Sequence, residues 1–560
     1  MTSIGTLYTT ENQPHVKRIR ATAAIAGLML DTAPDYVHAV TNKTPEYKAK
    51  FASGKIPAFE SKDGFTLFEG SAIARYLASL APNSGLLGTS PTDAALVDQW
   101  VSYLDSEILG RASTLWRILT GEFPYNKSYE ATLREKIQEC LAVVNNHLTH
   151  NTFFLPTNRI SLADVTGAVV MDLLCQYVLG PADRAKYPGL IRLLETVANH
   201  PKVKDVFGPL KFVDAPLQYV PPKKEKPTAT ATPAAPKAPK EKKPEKDDDD
   251  DEPLPVVDVA PDWESYEYKQ IDLSNPEDKA FFEAALAWDL EIDGKKWADG
   301  KNPLTTLCST TLPQHRNIMA SIGTLYTTET QPHVKRIRGT AAVAGLTLDI
   351  APDYVHAVTN KTPEYKAKFA SGRIPAFESK DGFTLFEGSA IARYIASLAP
   401  NSGLLGTSPT DAALVDQWVS FIDSEILSKG ISLFQLLMGQ FPYNKTYENF
   451  LREKISDSLV VLNTHLTHNT FFLPNNRISL ADLTAAAVLN TLFSTFLGPE
   501  ERAKYPAAIR LLETVANQPK LKDVFGTLTY TDSPLQFVPP KKEKPTATAT
   551  PAAPKAPKEK

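Results

Sequence analysis

His147 and His150 stand three residues apart, a spacing that sets two imidazoles on one face of a helix, where they could share a metal ion. No cysteine or aspartate joins them or His15 at ligand or triad spacing, so the pair reads as the polar end of a helix. Cys140, Cys175 and Cys308 are too few and too far apart for a disulfide framework or a thiolate metal site. They fit a reducing compartment. Asp247 to Asp251 are five adjacent carboxylates, which repel one another and stay solvated rather than close around a cation. The glycine-rich loop that cradles a nucleotide phosphate is missing, so GTPase chemistry is not expected. A formal net charge of −4 gives no electrostatic case for nucleic acid.

Such scattered groups need a scaffold, and an internal repeat organises it. Met1-Thr2-Ser3-Ile4-Gly5-Thr6-Leu7-Tyr8 returns as Met319-Ala320-Ser321-Ile322-Gly323-Thr324-Leu325-Tyr326, an offset of 318 (319 − 1). The register holds without a gap until Lys242 maps onto Lys560. Each copy is long enough to bury its own core. The copies are nearly identical up to about Ser106 and diverge between Gly110 and Gly180, where Trp116, Cys140 and Cys175 become Phe434, Ser458 and Phe493. Prolines, 44 in all, crowd a Lys/Ala/Thr-rich segment late in each copy. That composition buries too little apolar surface to offset its ordering entropy, and predicts an extended, disordered linker.

Within the first copy, Ile4–Tyr8 reads as a strand and His15–Ala26 as a helix with apolar Val16, Ile19, Ala23 and Ala26 on one face. Tyr36–Val40 reads as a second strand. Thr44-Pro45 opens a helix through a hydroxyl cap and a first-turn proline. Ile56–Glu60 and Phe65–Phe68, joined through Asp63-Gly64, read as a hairpin, and Glu69-Gly70-Ser71 opens another helix. After Gly88, amphipathic stretches dominate: Thr92–Leu119, Tyr129–Thr149, Ser161–Leu179 and Tyr187–Ala198. Ser161-Leu162-Ala163-Asp164, repeated at Ser479 to Asp482, is a capping-box variant ahead of an apolar run. The N-terminus lacks a signal-peptide pattern, and no run of about 18 apolar residues occurs. A soluble, cytoplasmic protein without a membrane span is expected.

A small α/β domain followed by an all-α domain resembles the soluble glutathione transferases. The residues that carry the resemblance are Lys55-Ile56-Pro57-Ala58-Phe59, Glu69-Gly70-Ser71-Ala72-Ile73-Ala74-Arg75-Tyr76 and Ile160-Ser161-Leu162-Ala163-Asp164, in this order and twice over. The implied fold is α/β plus all-α: two tandem units, each a thioredoxin-like domain (1–82 and 319–400) followed by a helical-bundle domain (90–215 and 408–533). A disordered linker is expected over 216–255, a junction over 303–318 and a disordered tail over 534–560. Gly5-Thr6-Leu7-Tyr8-Thr9 and the Lys/Pro/Ala linker also resemble the gamma-subunit family of translation elongation factor 1. So do Pro261–Tyr268, Ala287-Trp288-Asp289 and Gly294–Trp297, which mark 256–302 as a remnant of that family's C-terminal domain. The join before Met319 admits two origins: a fusion of two units, or two adjacent duplicated genes read as one chain.

The transferase resemblance implies a hydroxyl or thiol at the end of the first strand that stabilises the glutathione thiolate; the candidates are Tyr8 and Thr10, with Tyr326 and Thr328 in the second copy. It implies backbone pairing with glutathione beside a cis proline, at Lys55, Ile56 and Pro57 and at Arg373, Ile374 and Pro375. It also implies an acid and a helix N-terminus for the γ-glutamyl group, at Glu69 and Ser71 and at Glu387 and Ser389. In many relatives serine directly follows the acid; here Gly70 and Gly388 take that place, which weakens the site. No cofactor is required, and no metal site is expected. The elongation-factor resemblance implies a scaffold that binds the guanine-nucleotide exchange subunits, with self-association of the transferase-like domains. An active glutathione transferase is the alternative.

Overall fold

The computed structural model describes residues 2–10, 13–221, 321–328 and 331–539. The expected 256–302 remnant, the 303–318 junction, Cys308 and most of the linker and tail lie outside the described residues.

The first unit begins with β1 (Gly5–Tyr8), α1 (Pro14–Ala26), β2 (Asp31–Thr32), α2 (Pro45–Lys50), β3 (Ala58–Ser61), β4 (Thr66–Phe68) and α3 (Gly70–Ser79). The sheet order is β2-β1-β3-β4; β1 runs parallel to β2 and antiparallel to β3, with Leu7 opposite Phe59. Leu7, Ile19, Phe59, Leu67, Ile73 and Leu77 form the buried core that clamps α1 and α3 onto the sheet. The strand expected at Tyr36–Val40 is not there. The edge strand is instead Asp31–Thr32, and 36–40 is a turn that leaves Val37 and Val40 exposed. Ala39 sits in the left-handed region (φ 64°), and the Val37 carbonyl accepts from Thr41 N–H. Local β-propensity loses where no neighbouring strand or core face awaits the side chains.

The helical domain holds α4 (Pro91–Tyr103), α5 (Gly110–Leu119), α6 (Lys127–His150), α7 (Leu162–Tyr177), α8 (Pro181–Arg184), α9 (Pro188–Ala198) and α10 (Lys204–Phe207). A wider π-type turn at Leu104–Leu109 joins α4 to α5. The central helix α7 is buried along nearly its whole length. It starts at a buried capping box: Ser161 Oγ donates to Asp164 Oδ2 at 2.6 Å, and Asp164 Oδ1 accepts from Phe154 N–H at 2.8 Å. Burial pushes the Asp164 carboxyl up to about 6. Residues 216–219, assigned to the linker by composition, pack on this domain instead. Leu217 N–H donates to the Tyr177 carbonyl at 2.7 Å, and Tyr219 stacks on Tyr125 at 4.0 Å. Two apolar anchors among prolines suffice to hold the chain there.

The second unit repeats this plan as β5–β8 and α11–α20, from Gly323–Tyr326 (β5) and Pro332–Ala344 (α11) to Lys522–Phe525 (α20), with sheet order β6-β5-β7-β8. The units pack on each other about a pseudo-twofold axis. Phe68 enters the second unit between Trp418 and Phe421 at 5.5 and 5.8 Å, and its N–H donates to Gln417 Oε1 at 2.8 Å. Phe386 does the same to Trp100, Tyr103 and Gln99. On the axis, Arg75 and Arg393 each pair with both Asp98 and Asp416. Below, the Tyr129 and Tyr447 hydroxyls meet at 3.2 Å.

Candidate functional site

The cleft grows from the ends of three elements. The β3 strand leaves the cis Ile56–Pro57 bond, α3 begins at Glu69, and α1 brings His15 and Arg18 beneath them. Across the seam, the α14 helix (Pro409–Phe421) and the π-type turn Ile422–Leu427 of the second unit close it. A cavity of about 360 Å³ lies between, walled by Lys55, Pro57, Glu69 and Ser71 on one side and by Ser420 and Glu425 on the other. Ile56 also lines it.

Glu69 carries a positive φ of 68°, strained for a residue with a side chain, and turns its carboxylate into the seam. Its Oε2 accepts from Ser420 Oγ at 3.2 Å and from Ser424 Oγ at 3.4 Å, both long for hydroxyl donors. Burial, and then the nearby Glu425 carboxylate, push Glu69 up to about 7. Glu425 itself, despite burial, is held down to about 2 by Lys429 and Lys55, with which it pairs. Ser71 Oγ donates to Asp105 Oδ2 at 2.9 Å and accepts from Arg18 Nη2 at 3.1 Å.

Arg18 Nη1 donates to both carboxylate oxygens of Asp105, each at 2.8 Å. The same guanidinium stands 2.9 Å from His15 Nδ1. Arginine can only donate, so Nδ1 accepts and the histidine proton rests on Nε2. Burial and the Arg18 charge push His15 down to about 4, which keeps the ring neutral. His15 also explains the glycine that replaces the family's serine. A Cβ at Gly70 would lie 2.8 Å from His15 Cβ, and at Gly388 the contact with His333 repeats this.

The strand-end hydroxyls lie elsewhere. Tyr8 OH donates to Glu60 Oε2 at 2.8 Å, amid Tyr36, Tyr47 and Phe51, and neither Tyr8 nor Thr10 lines the cavity. Burial and the Glu60 carboxylate push the phenol up to about 12. Tyr326 repeats the bond with Glu378 at 2.8 Å, and Thr327 Oγ1 donates to the Thr328 carbonyl at 3.2 Å.

In the second unit, Ser389 borders the first cavity, whereas Arg373 and Glu387 meet the first unit at the pseudo-equivalent place; the cis Ile374–Pro375 bond follows Arg373, with Ile374 buried among Tyr365, Phe369 and Ala376 of its own unit. Glu387 accepts from Ser102 Oγ at 2.9 Å, and Ser389 lies 3.0 Å from the same hydroxyl. Burial, and then Glu107, push Glu387 up to about 7. Arg373 reaches Glu107 at 2.5 Å and Cys140 Sγ at 3.9 Å. Among the described residues no cluster of three or more His, Cys, Asp or Glu could hold a metal ion, and no helix is long and apolar enough to cross a membrane.

No local pattern marks His15, Arg18 and Asp105 as partners of the cleft, nor Ser420, Ser424 and Glu425. A buried arginine on α1 is the one local oddity, and its partner lies 87 positions away.

The profile of the glutathione S-transferase N-terminal domain matches residues 3–79 and 321–397, and that of the C-terminal domain matches 108–201 and 430–519. A glutathione S-transferase-like protein of Fusarium, LUC7, is 35% identical over 217 residues, which are 38% of this chain and 97% of that one. The chain belongs to the glutathione S-transferase family, in two tandem copies. It is similar to elongation factor 1-gamma of Danio rerio, at 38% identity over 235 residues, which are 40% of this chain and 52% of that protein. The chain thus spans about half the length of the elongation factor relatives it matches. Among solved structures, the GST-like domain of elongation factor 1-gamma from Saccharomyces cerevisiae is 28% identical, covers 40% of this chain and 100% of its own, and has a TM-score of 0.35.

Proposed function

We propose that this chain is a non-catalytic, gamma-type scaffold of the cytoplasmic translation elongation factor 1 complex, and that its transferase-like units anchor the guanine-nucleotide exchange subunits. The similarity to elongation factor 1-gamma carries the reading. The site's chemistry supports it: the Tyr8 hydroxyl is engaged by Glu60, away from the cavity, while Lys55 and Glu69 are tied across the seam to Glu425, Ser420 and Ser424. Linkers on such a scaffold would raise the local concentration of tethered partners. Nucleic acid is not a direct partner in this reading, and the chain does not span a membrane.

One observation favours a second reading, glutathione binding with or without turnover. The cavity still gathers Lys55, Ile56, Pro57, Glu69 and Ser71 in the first unit. The test is co-purification of the full chain with elongation factor 1 exchange subunits, with glutathione-conjugating activity recorded on the same sample. Stable co-purification with negligible turnover is expected. No co-purification, with turnover that saturates in glutathione, overturns the scaffold and makes the chain a transferase.

A further inference from the structure

Helices α1 and α11 differ at only two positions, Ala21/Gly339 and Ile25/Val343, and both carry a lysine one turn in, Lys17 and Lys335. Their surroundings differ. Lys17 Nζ lies 2.5 Å from Asp172 Oδ2 on α7 and 5.3 Å from the centre of the Phe207 ring. The position of Asp172 in the second unit is Asn490, on α17 (Leu480–Thr495), also buried, and α11 packs on α17 as α1 packs on α7. The carboxylate is therefore gone while the lysine and the helix packing remain. Lys335 is half-buried, and among the described residues its ammonium makes no hydrogen bond or ion pair; only its backbone N–H is engaged, by the Gln331 carbonyl.

An ammonium withdrawn from water without a counter-ion favours its neutral form, and a neutral amine is a nucleophile. We propose that Lys335 is a modification site of the second unit, an amine that captures small aldehydes, and that Lys17 is masked from the same chemistry by Asp172. The ammonium first gives its proton to water. The amine lone pair then attacks the carbonyl carbon to form a carbinolamine, which loses water to leave an imine. Burial lowers the pKa of Lys335 below the ordinary lysine range, which enlarges its share of free amine relative to a solvated lysine.

The test treats the full chain with limiting propionaldehyde and cyanoborohydride at about pH 7, well below the ordinary lysine value. The hydride traps each imine as a secondary amine, and peptide mass mapping gives the rate at each lysine. Lys335 is expected to react several-fold faster than Lys17. Asn490→Asp, which supplies the missing counter-ion, should slow Lys335 to the rate of Lys17. Asp172→Asn should raise Lys17 to the rate of Lys335. Equal rates at the two lysines in the parent chain, or a Lys335 rate indifferent to Asn490→Asp, would overturn the proposal; Asn490→Asp adds a partner rather than removing one, so a folding failure does not confuse it.

Discussion

The two clefts present nearly the same motif to different walls. In the first, Lys55 makes its contact as a point charge on Glu425, which Lys429 shares. In the second, the planar fork of Arg373 spans both Glu107 and the Cys140 thiol. Glu69 holds two long bonds to Ser420 and Ser424, whereas Glu387 holds a shorter one to Ser102. Most of the difference comes from the opposite unit's helical domain, where Cys140 stands against Ser458, Arg111 against Lys429 and Tyr103 against Phe421. A duplicated domain can thus change the character of a cleft with hardly a change in its own motif, because each cleft borrows a wall from its twin.

The largest effect is expected where the units are alike. Phe68→Ala empties a socket between Trp418 and Phe421 and should cost about 3–4 kcal/mol in denaturant unfolding. Phe386→Ala should match it to within about 1 kcal/mol, since the pseudo-twofold axis makes the two sockets equivalent. A cost on one side alone would mean the seam is not symmetric.

Next comes pH. Glu69 and Glu387 are both raised to about 7, so the protonated forms favour the folded seam. That contribution is full below the unfolded value and is lost as pH climbs through about 7. Each site should lose about 1–3 kcal/mol between about pH 4.5 and pH 8. Glu69→Gln should therefore gain on the parent chain as the pH rises, read from urea midpoints at acid and alkaline pH. A variant that loses stability at high pH relative to the parent would show that the ionised carboxylate is the stabilising form.

Smaller still is the effect of restoring the family's serine. Gly70→Ser drives a Cβ into His15 and should cost about 1–2 kcal/mol. His15→Ala should relieve most of it in a double-mutant cycle. If the two changes are additive, His15 is not the reason for the glycine. Smallest is Lys55→Arg, which gives the first cleft the arginine of the second. Because Lys55 is half-exposed and the charge is kept, the change should shift stability by no more than about 0.5 kcal/mol in thermal unfolding.

Much of this was legible in the sequence where the signal is local. Asp63-Gly64 marks a real hairpin turn, and Ser161 and Asp164 form the capping box that their spacing implied. The order of the α/β and all-α domains, and the gathering of Lys55, Ile56, Pro57, Glu69 and Ser71 at one cavity, follow from the motifs. Tyr36–Val40 misled because β-prone residues say nothing about whether a strand waits beside them. Tyr8 alternates correctly in β1, but alternation does not tell which face meets the cleft, and Glu60 takes its hydroxyl. The wall formed by Ser420, Ser424 and Glu425 is more than 350 positions from Glu69 along the chain, beyond any local pattern.

The most direct test of the shared cleft is zero-length carbodiimide cross-linking of the dilute full chain, followed by peptide mapping of the single-chain band. The account predicts an amide between Lys55 and Glu425 across the seam, beside a Lys429–Glu425 product that lies wholly within the second unit. Single-chain material without the Lys55–Glu425 link, while Lys429–Glu425 forms readily, would contradict the claim that one unit completes the other's cleft.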